Sequence, residues 1–557
     1  AYQGELPVIS GTEIITDWEL VDPERNLYLA ESVSEFRSLF NQSMQVFVDG
    51  EMVPLAQYPN VIPSDLYSPM GTIEQVAFVF DEVSTLQERM HIFDPSLDQT
   101  EGYWVGSEIR FGSELMYQFH TGIVVESIPG RLTIDFNTPV NGQIPAKDAP
   151  YMLFNAMNSL DADYEWFYES ETNQLYLQLP EGITPDAHVI EAKQRDYAFN
   201  LDSLSYVTIA DFAIFGATIT TDHAQNELPG HVRQGSIAPS HHIVLENLTV
   251  HYPSHFTDLS GFAYAQWTNN TGIIVSGSNH IVRDTTVAYS AGNGISVFGL
   301  NHRVMNNHIT DVNYAGTEAG GISTGFQNTL NLDHEIDYNT IKRSGRFLIV
   351  FRSLRNSIGS TRARIHHNRI SDSMLMTLDG GALYTWNFDG RGLRIDHNII
   401  FNNYDEAAGV GVYLDEGSSN YLVHHNIIYD SRTGIVTHNG TNNRFYNNTI
   451  ITEGPSIYGL FGGVGDHEII NNIIASPISI DAPFSTANNL YWDRVPGSDT
   501  DPLFANHAIG DFYITQGSPA IDAGRNIDSI PYQVDDGIWD IGAYEFGAVP
   551  WYAGAEE

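Results

Sequence analysis

The sequence predicts an all-β chain, a parallel β-helix (solenoid) behind an N-terminal β-rich, barrel-like lobe. Ten segments carry the solenoid: VTIADFAI, IVLENLTV, HIVRDTTV, HRVMNNHI, HEIDYNTI, ARIHHNRI, LRIDHNII, YLVHHNII, NRFYNNTI and HEIINNII. Each alternates apolar and polar residues with period two, as a strand does, where a helix would repeat every 3.6. Their last residues, Ile214, Val250, Val287, Ile309, Ile341, Ile370, Ile400, Ile428, Ile450 and Ile474, are 22 to 37 residues apart. A floor of 22 with variable additions fits coils of three short strands whose surplus forms loops.

Residues 1–200 lack the repeat and form the lobe, which contributes the first coil or coils. Apolar–polar alternation around Asp49-Gly50 and around Thr172-Asn173 predicts two hairpins. Residues 201–480 form the β-helix. Asn307, Asn339, Asn368, Asn398, Asn426, Asn448 and Asn472 fall at one register. Asn tolerates left-handed backbone and bonds its own turn, so the spacing predicts an Asn stack in a coil corner. His366, His367, His397, His424 and His425 share that corner and read as a stacked polar turn, not a metal cluster. The coil surplus lies mainly between Ile309 and Ile428 and between Ile214 and Val287, where loops should wall a groove. Residues 481–557 read as a segment that covers the open end.

Composition narrows the function. The 557 residues hold 25 Lys+Arg against 69 Asp+Glu, a formal −44, and no Cys. Such a chain is a poor nucleic-acid binder, and it is no disulfide scaffold, thiol enzyme or Cys-ligated zinc protein. At 42% hydrophobic and 12% aromatic residues it is no disordered acidic tail. No run of ~18 apolar residues predicts a membrane span. The chain opens without a basic n-region and apolar h-region, so a signal peptide is absent from it. These traits suit a secreted or periplasmic bacterial protein from a salty, marine habitat; a plainly solvated surface explains the charge equally well. Oligomeric state is left open. Phosphate-binding, dinucleotide, zincin and EF-hand signatures do not occur. No cofactor is required; a structural calcium among the Asp-rich loops fits the composition, but no spacing compels it.

VDGEMVPLAQYPN, EWFYESETNQLYLQLPEG, DGGALYTW, GVYLDEGSSN and SPAIDAG…DIGAYE together resemble secreted bacterial right-handed parallel β-helix carbohydrate-active enzymes. The nearest likeness is to β-helical glycoside hydrolases with an inserted β-barrel lobe, such as certain β-xylosidases, α-L-fucosidases and galactosidases. It spans nearly the whole chain, and it implies the fold more strongly than any substrate.

Glycoside hydrolysis usually needs two carboxyl groups flanking the bond. Two coils carry carboxylates beside a strand: Asp379 before Gly380-Gly381, and Asp415-Glu416 at the end of GVGVYLDE. The resemblance implies that Asp379 and Asp415 are the catalytic pair, with Glu416 and Asp389 in reserve. Capping of turns explains the same residues without catalysis. Aligning Gly381 with Gly411 stacks Ala382–Trp386 beside Val412–Glu416, so that Thr385 faces the same way as Asp415. Aligning Gly411 with Gly434 brings His438 beside Asp415. This register leaves Asp379 six residues before the Asp415 column, a span of about 20 Å if extended. The corner must fold back for the pair to meet.

Residues 342–369 hold eight of the 25 basic residues and no acid. Arg346, Arg352 and Arg355 are read as a subsite for an anionic sugar, since Arg offers a bidentate fork to sulfate or carboxylate. Pairing with nearby acids is the alternative. Tyr384, Trp386 and Tyr413 are read as sugar-stacking aromatics, though aromatics are also ordinary strand residues. The expected function is glycoside hydrolysis of an anionic, sulfated polysaccharide or its oligosaccharides. A uronate lyase using the arginines with His438, Lys342 or Tyr384 as base is the first alternative. A non-catalytic glycan-binding β-helix is the second.

Overall fold

The computed structural model describes residues 5–36, 42–61, 65–67, 70–78, 88–136, 144–222, 239–259, 271–324, 331–352, 363–403, 409–460, 465–530 and 537–556. The chain is a parallel β-helix of three long sheets carrying an antiparallel lobe at its N-terminal end. Each coil runs through sheet III, then I, then II. One full coil is Glu335–Asp337 (III), Thr340–Ser344 (I) and Phe347–Arg352 (II).

Sheet I realises the repeat. The ten terminal residues from Ile214 to Ile474 stack as direct partners in one column, and Ile9 of the N-terminal strand Val8–Ser10 precedes them on Ile214. A column from sheet III, including Ile336, Ile365, Ile395 and Val423, packs into the same core. These four are fully buried, and burying each such side chain stabilises by about 1.5–3 kcal/mol.

The corner between sheets III and I holds the expected Asn stack. Asn307, Asn339, Asn368, Asn398, Asn426, Asn448 and Asn472 each donate Nδ2 to the next Oδ1 at 2.9–3.0 Å, and Asn489 ends the ladder. The left-handed residue is one position earlier than expected, at Asn306, Tyr338, His367, His397, His425, Asn447 and Asn471. That residue turns the chain, which frees the following Asn to point inward and bond backbone on both sides. The outward rings stack: His367 on His397 at 4.8 Å and His397 on His425 at 5.0 Å. Ligand atoms of Asp396, His397 and His424 lie within 4.8 Å of one another, but the Arg364 fork holds both Asp396 oxygens, at 2.9 and 2.6 Å.

A second ladder was not foreseen. His280, His302 and His334 stack at 4.9 and 5.1 Å in the corner between sheets II and III. Each Nδ1 accepts a backbone N–H, from Ile243, His280 and His302 respectively. Protonating Nδ1 destroys that bond, and burial already disfavours the charge: it pulls His280 down to about 4 and His334 to about 3, and also lowers His302. The unfolded rings take up protons below about pH 6.5 while the folded ones do not, so stability falls as pH drops from there toward 4. The Tm gap between the native chain and His302→Asn, in which an amide keeps an acceptor, is expected to narrow on going from pH 7 to 4.5. A gap independent of pH would contradict the neutral ladder.

The lobe contains three antiparallel sheets. Val46–Val48 with Glu51–Val53, and Trp166–Glu169 with Gln174–Gln178, are the two expected hairpins. The lobe touches the helix where sheet I leads into sheet II: Phe119 N–H donates to Gly316 O (2.9 Å), Tyr67 Oη to Val312 O (2.9 Å) and Leu378 N–H to Met116 O (3.0 Å).

The C-terminal residues differ from the expected end cover. Strands Ile478–Ile480, Phe484–Ala487 and Leu490–Tyr491 add one more set of rungs. The tail then runs back along the Asn corner. Gly542 N–H reaches Asn471 O, Gly554 N–H reaches His367 O, and Glu556 N–H reaches Asn306 Oδ1, each at 2.8 Å. Trp551 packs edge-on against His367 and His397. The corner histidines therefore form the seat of this tail.

Candidate active site

The site lies on the outer face of sheet II. Ile349, Leu383, Val412 and Ile435 point into the core, while Tyr384, Tyr413 and Val436 form an outer cluster with Phe347 and Val350. The pairing is Leu383↔Val412, Tyr384↔Tyr413, Thr385↔Leu414 and Trp386↔Asp415. This corrects the register read from Gly381 and Gly411 by one residue. The link from sheet I to sheet II is one residue shorter in the later coil, so spacing in sheet I does not carry over. A one-residue slip exchanges the two faces of a strand. Thr385 is thus an inward, fully buried residue, while Tyr384, Trp386, Tyr413 and Asp415 share the outer face.

Asp415 is held from three sides. His438 Nδ1 lies 2.6 Å from Oδ1, Tyr384 Oη donates to Oδ2 at 2.6 Å, and the Glu416 N–H donates to Oδ1 at 2.8 Å. Glu416 itself sits in the turn beyond the strand at φ 42° and has no side-chain bond to this cluster. Asp389 caps its own turn, accepting from the Arg391 N–H and from Asn420 Nδ2.

Asp379 reaches the same face because the chain folds back at the diglycine. Gly380 has φ +149°, and a Cβ there would stand 2.6 Å from the Phe347 ring. A Cβ on Gly381 would crowd Tyr413 Cβ at 3.1 Å. The proton affinity of Asp379 is raised, chiefly by burial; Arg346 opposes the rise, and the nearby charges of Asp415 and Glu318 add to it. Asp379 thus feels the charge of Asp415, so the chain between them falls short of the ~20 Å extended span.

Arg346 departs from its expected role. It is buried, and its guanidinium is spent on carboxylates: Nη1 to Glu318 at 2.6 Å, Nη2 to Asp379 Oδ2 at 3.1 Å, and Nε to the Asp379 carbonyl at 2.8 Å. Its bonds therefore tie Glu318 to Asp379 across the strand. Arg343 pairs with Asp311 and Arg364 with Asp396, so much of the basic island is neutralised internally. Arg352 closes its strand in register with Trp386 and Asp415. Its side chain, the whole of Arg355 and residues 223–238, 260–270, 325–330, 353–362 and 404–408, where groove-walling loops were expected, lie outside the described residues.

Two members of the site escaped the sequence reading. Glu318 lies four residues before Ile322, as Asp379 lies four before Leu383, and Ile322, Ile349 and Leu383 stack. Acid residues two coils apart thus flank Arg346. The signal was present in the likeness of GTEAGGIS to TLDGGALY. Tyr117 comes from the lobe, and its phenol is raised by burial and by the charges of Asp379, Asp415 and Glu318. No local pattern announces it.

Comparisons with known proteins agree with the architecture. A family model described as "Right handed beta helix region" matches residues 236–426. A solved structure titled "Glycoside hydrolase" aligns at 15% identity over 83% of this chain and 83% of its own, with a TM-score of 0.53. "The complex structure of XylC with xylose" aligns at 15% identity over 88% and 73%, with a TM-score of 0.38. Pectate lyase Pel9A aligns at 13% over 60% and 88%, with a TM-score of 0.32. No curated protein matches in sequence. At 15% identity the likeness to the first of these carries the fold alone, and the chemistry has to come from the site.

Proposed function

We propose that the chain is a secreted glycoside hydrolase in which Asp379 protonates the leaving glycosidic oxygen and Asp415 acts as base or nucleophile. One arrangement carries this: Asp379, half-buried and held by Arg346, has its proton affinity raised in part by the charge of Asp415, while Asp415 is itself fixed by hydrogen bonds. A carboxyl of raised proton affinity fits the role of acid, and a second carboxylate near it fits the role of base or nucleophile. Tyr384 and His438 fix the direction of Asp415. Tyr413 and Trp386 on the same face offer ring surfaces to a sugar, and Tyr117 adds one from the lobe.

A β-eliminating lyase needs a cation to neutralise the uronate carboxylate. Arg346 is committed to Glu318 and Asp379, which favours the hydrolase. Recognition of a sulfated or otherwise anionic marine polysaccharide then falls to Arg352 and Arg355. Digestion of a panel of neutral, sulfated and uronic polysaccharides should release reducing ends without new ultraviolet absorbance. An unsaturated, absorbing product would replace hydrolysis with elimination.

A further inference from the structure

A cavity of about 120 Å³ lies where the lobe meets the β-helix. Its apolar wall includes Met52, Leu66, Met152, Phe154 and Trp166. Its polar lining includes Arg110, Gln45, His255 and Tyr314. Arg110 sits mid-strand in Glu108–Gly112, paired to Thr121 on one side and Met152 on the other. It is 8% exposed, and its guanidinium lies 5.7 Å from the Phe154 ring centre. Its Nε has no hydrogen-bond partner, and no carboxylate among the described residues is within ion-pair distance. Glu108, on the same strand, is turned to Asn155 Nδ2 at 2.6 Å, and Asp65 at the rim is exposed. Burial pulls the guanidinium down to about 10.

A buried charge without a counter-ion costs several kcal/mol. The fields of Tyr314 and Glu108 offset part of that cost for Arg110, and a further cation stands nearby. Lys193 is a second buried cation, held by Gln42 at 2.8 Å. With burial, the two cations keep the His255 ring neutral, down to about 3, and its Nδ1 pairs with Tyr314 Oη at 2.8 Å. A positive interior in a chain of net −44 selects an anion. The opposite need is also present: Gln45 Oε1 is buried without a donor, while its Nε2 faces Met52 Sδ at 3.2 Å.

We propose that this cavity binds a small hydroxy-carboxylate. Its carboxylate meets Arg110, its hydroxyl donates to Gln45 Oε1, and its short hydrocarbon lies on the methionine and tryptophan wall. A cavity of ~150 Å³ holds benzene, so the ligand has about six or seven heavy atoms. The binding does not depend on what Asp379 and Asp415 catalyse. It does bear on them, because Tyr314 belongs to the segment that continues to Glu318, a partner of Arg346.

Thermal unfolding of the full chain with 3-hydroxybutyrate, butyrate, butyramide and ionic-strength-matched sodium chloride tests the site. A saturable rise in Tm is expected with 3-hydroxybutyrate, a smaller one with butyrate, and none with butyramide or chloride. Arg110→Met should weaken the response by roughly 30-fold or more, and Arg110→Lys should weaken it less. Equal responses to butyrate and its neutral amide, no response to either acid, or an unchanged response in Arg110→Met would each overturn the proposal and leave a cavity filled by water alone. Should Arg110→Met not fold, the acid-against-amide comparison on the native chain decides.

Discussion

Asp379→Asn is expected to lower kcat/KM by roughly 100- to 10,000-fold on a natural glycoside, the usual contribution of a positioned acid. The loss should shrink sharply on aryl glycosides whose leaving groups need no proton. Asp415→Asn should be as damaging on both kinds of substrate, because attack at the sugar carbon is required of each. The pH profile gives a second readout. A general acid must be protonated, so the rate falls as pH rises through the raised Asp379 value. Glu318→Gln removes a negative charge that helps to raise it, and the alkaline limb should move to lower pH. Full activity in either Asn variant would remove the pair from the mechanism.

Asn398→Ala is expected to destabilise the chain by about 3–5 kcal/mol, measured by denaturant or thermal unfolding. The side chain gives Nδ2 to Asn426 Oδ1 and Ile365 O, and takes the Asn368 N–H and Nδ2 on its Oδ1. Alanine strands these groups in a core where water cannot replace the amide. Asn60→Ala, which removes an exposed bond to Asp161, should cost within about 0.5 kcal/mol. Similar losses in the two variants would mean that the ladder adds nothing beyond an ordinary surface bond.

The core was legible because its signal is local and repeated. Ten segments end on an Ile or Val, and those residues form one physical column. The Asn ladder was legible for the same reason, although the left-handed burden falls on its neighbour. The site was less so. The pairing of Asp415 with His438 follows from the short offset that aligns Gly411 with Gly434, but the facing of Tyr384 depends on a link that loses one residue between coils. Glu318 and Tyr117 are brought in by long-range packing, one from two coils earlier and the other from the lobe. The arginines misled because a basic run in an acidic chain looks like a binding surface, yet a buried guanidinium must first satisfy its own neighbours. The −44 total is therefore silent about buried positive centres such as Arg346, Arg110 and Lys193.

The returning tail has a consequence for how this protein can evolve. Solenoids ordinarily lengthen or shorten by whole repeats, because each repeat touches only its neighbours. Here, between Gly542 and Glu556, the tail crosses from the Asn471 corner to the Asn306 corner, six rungs or about 29 Å. Adding or deleting one coil in that interval would slide its anchors by about 4.8 Å, and Gly554, Ala555 and Glu556 would miss their partners. The tail thus acts as a yardstick fixing the number of coils beside the site. Lineages carrying it should vary in loop length while keeping the coil count constant between Asn306 and Asn471.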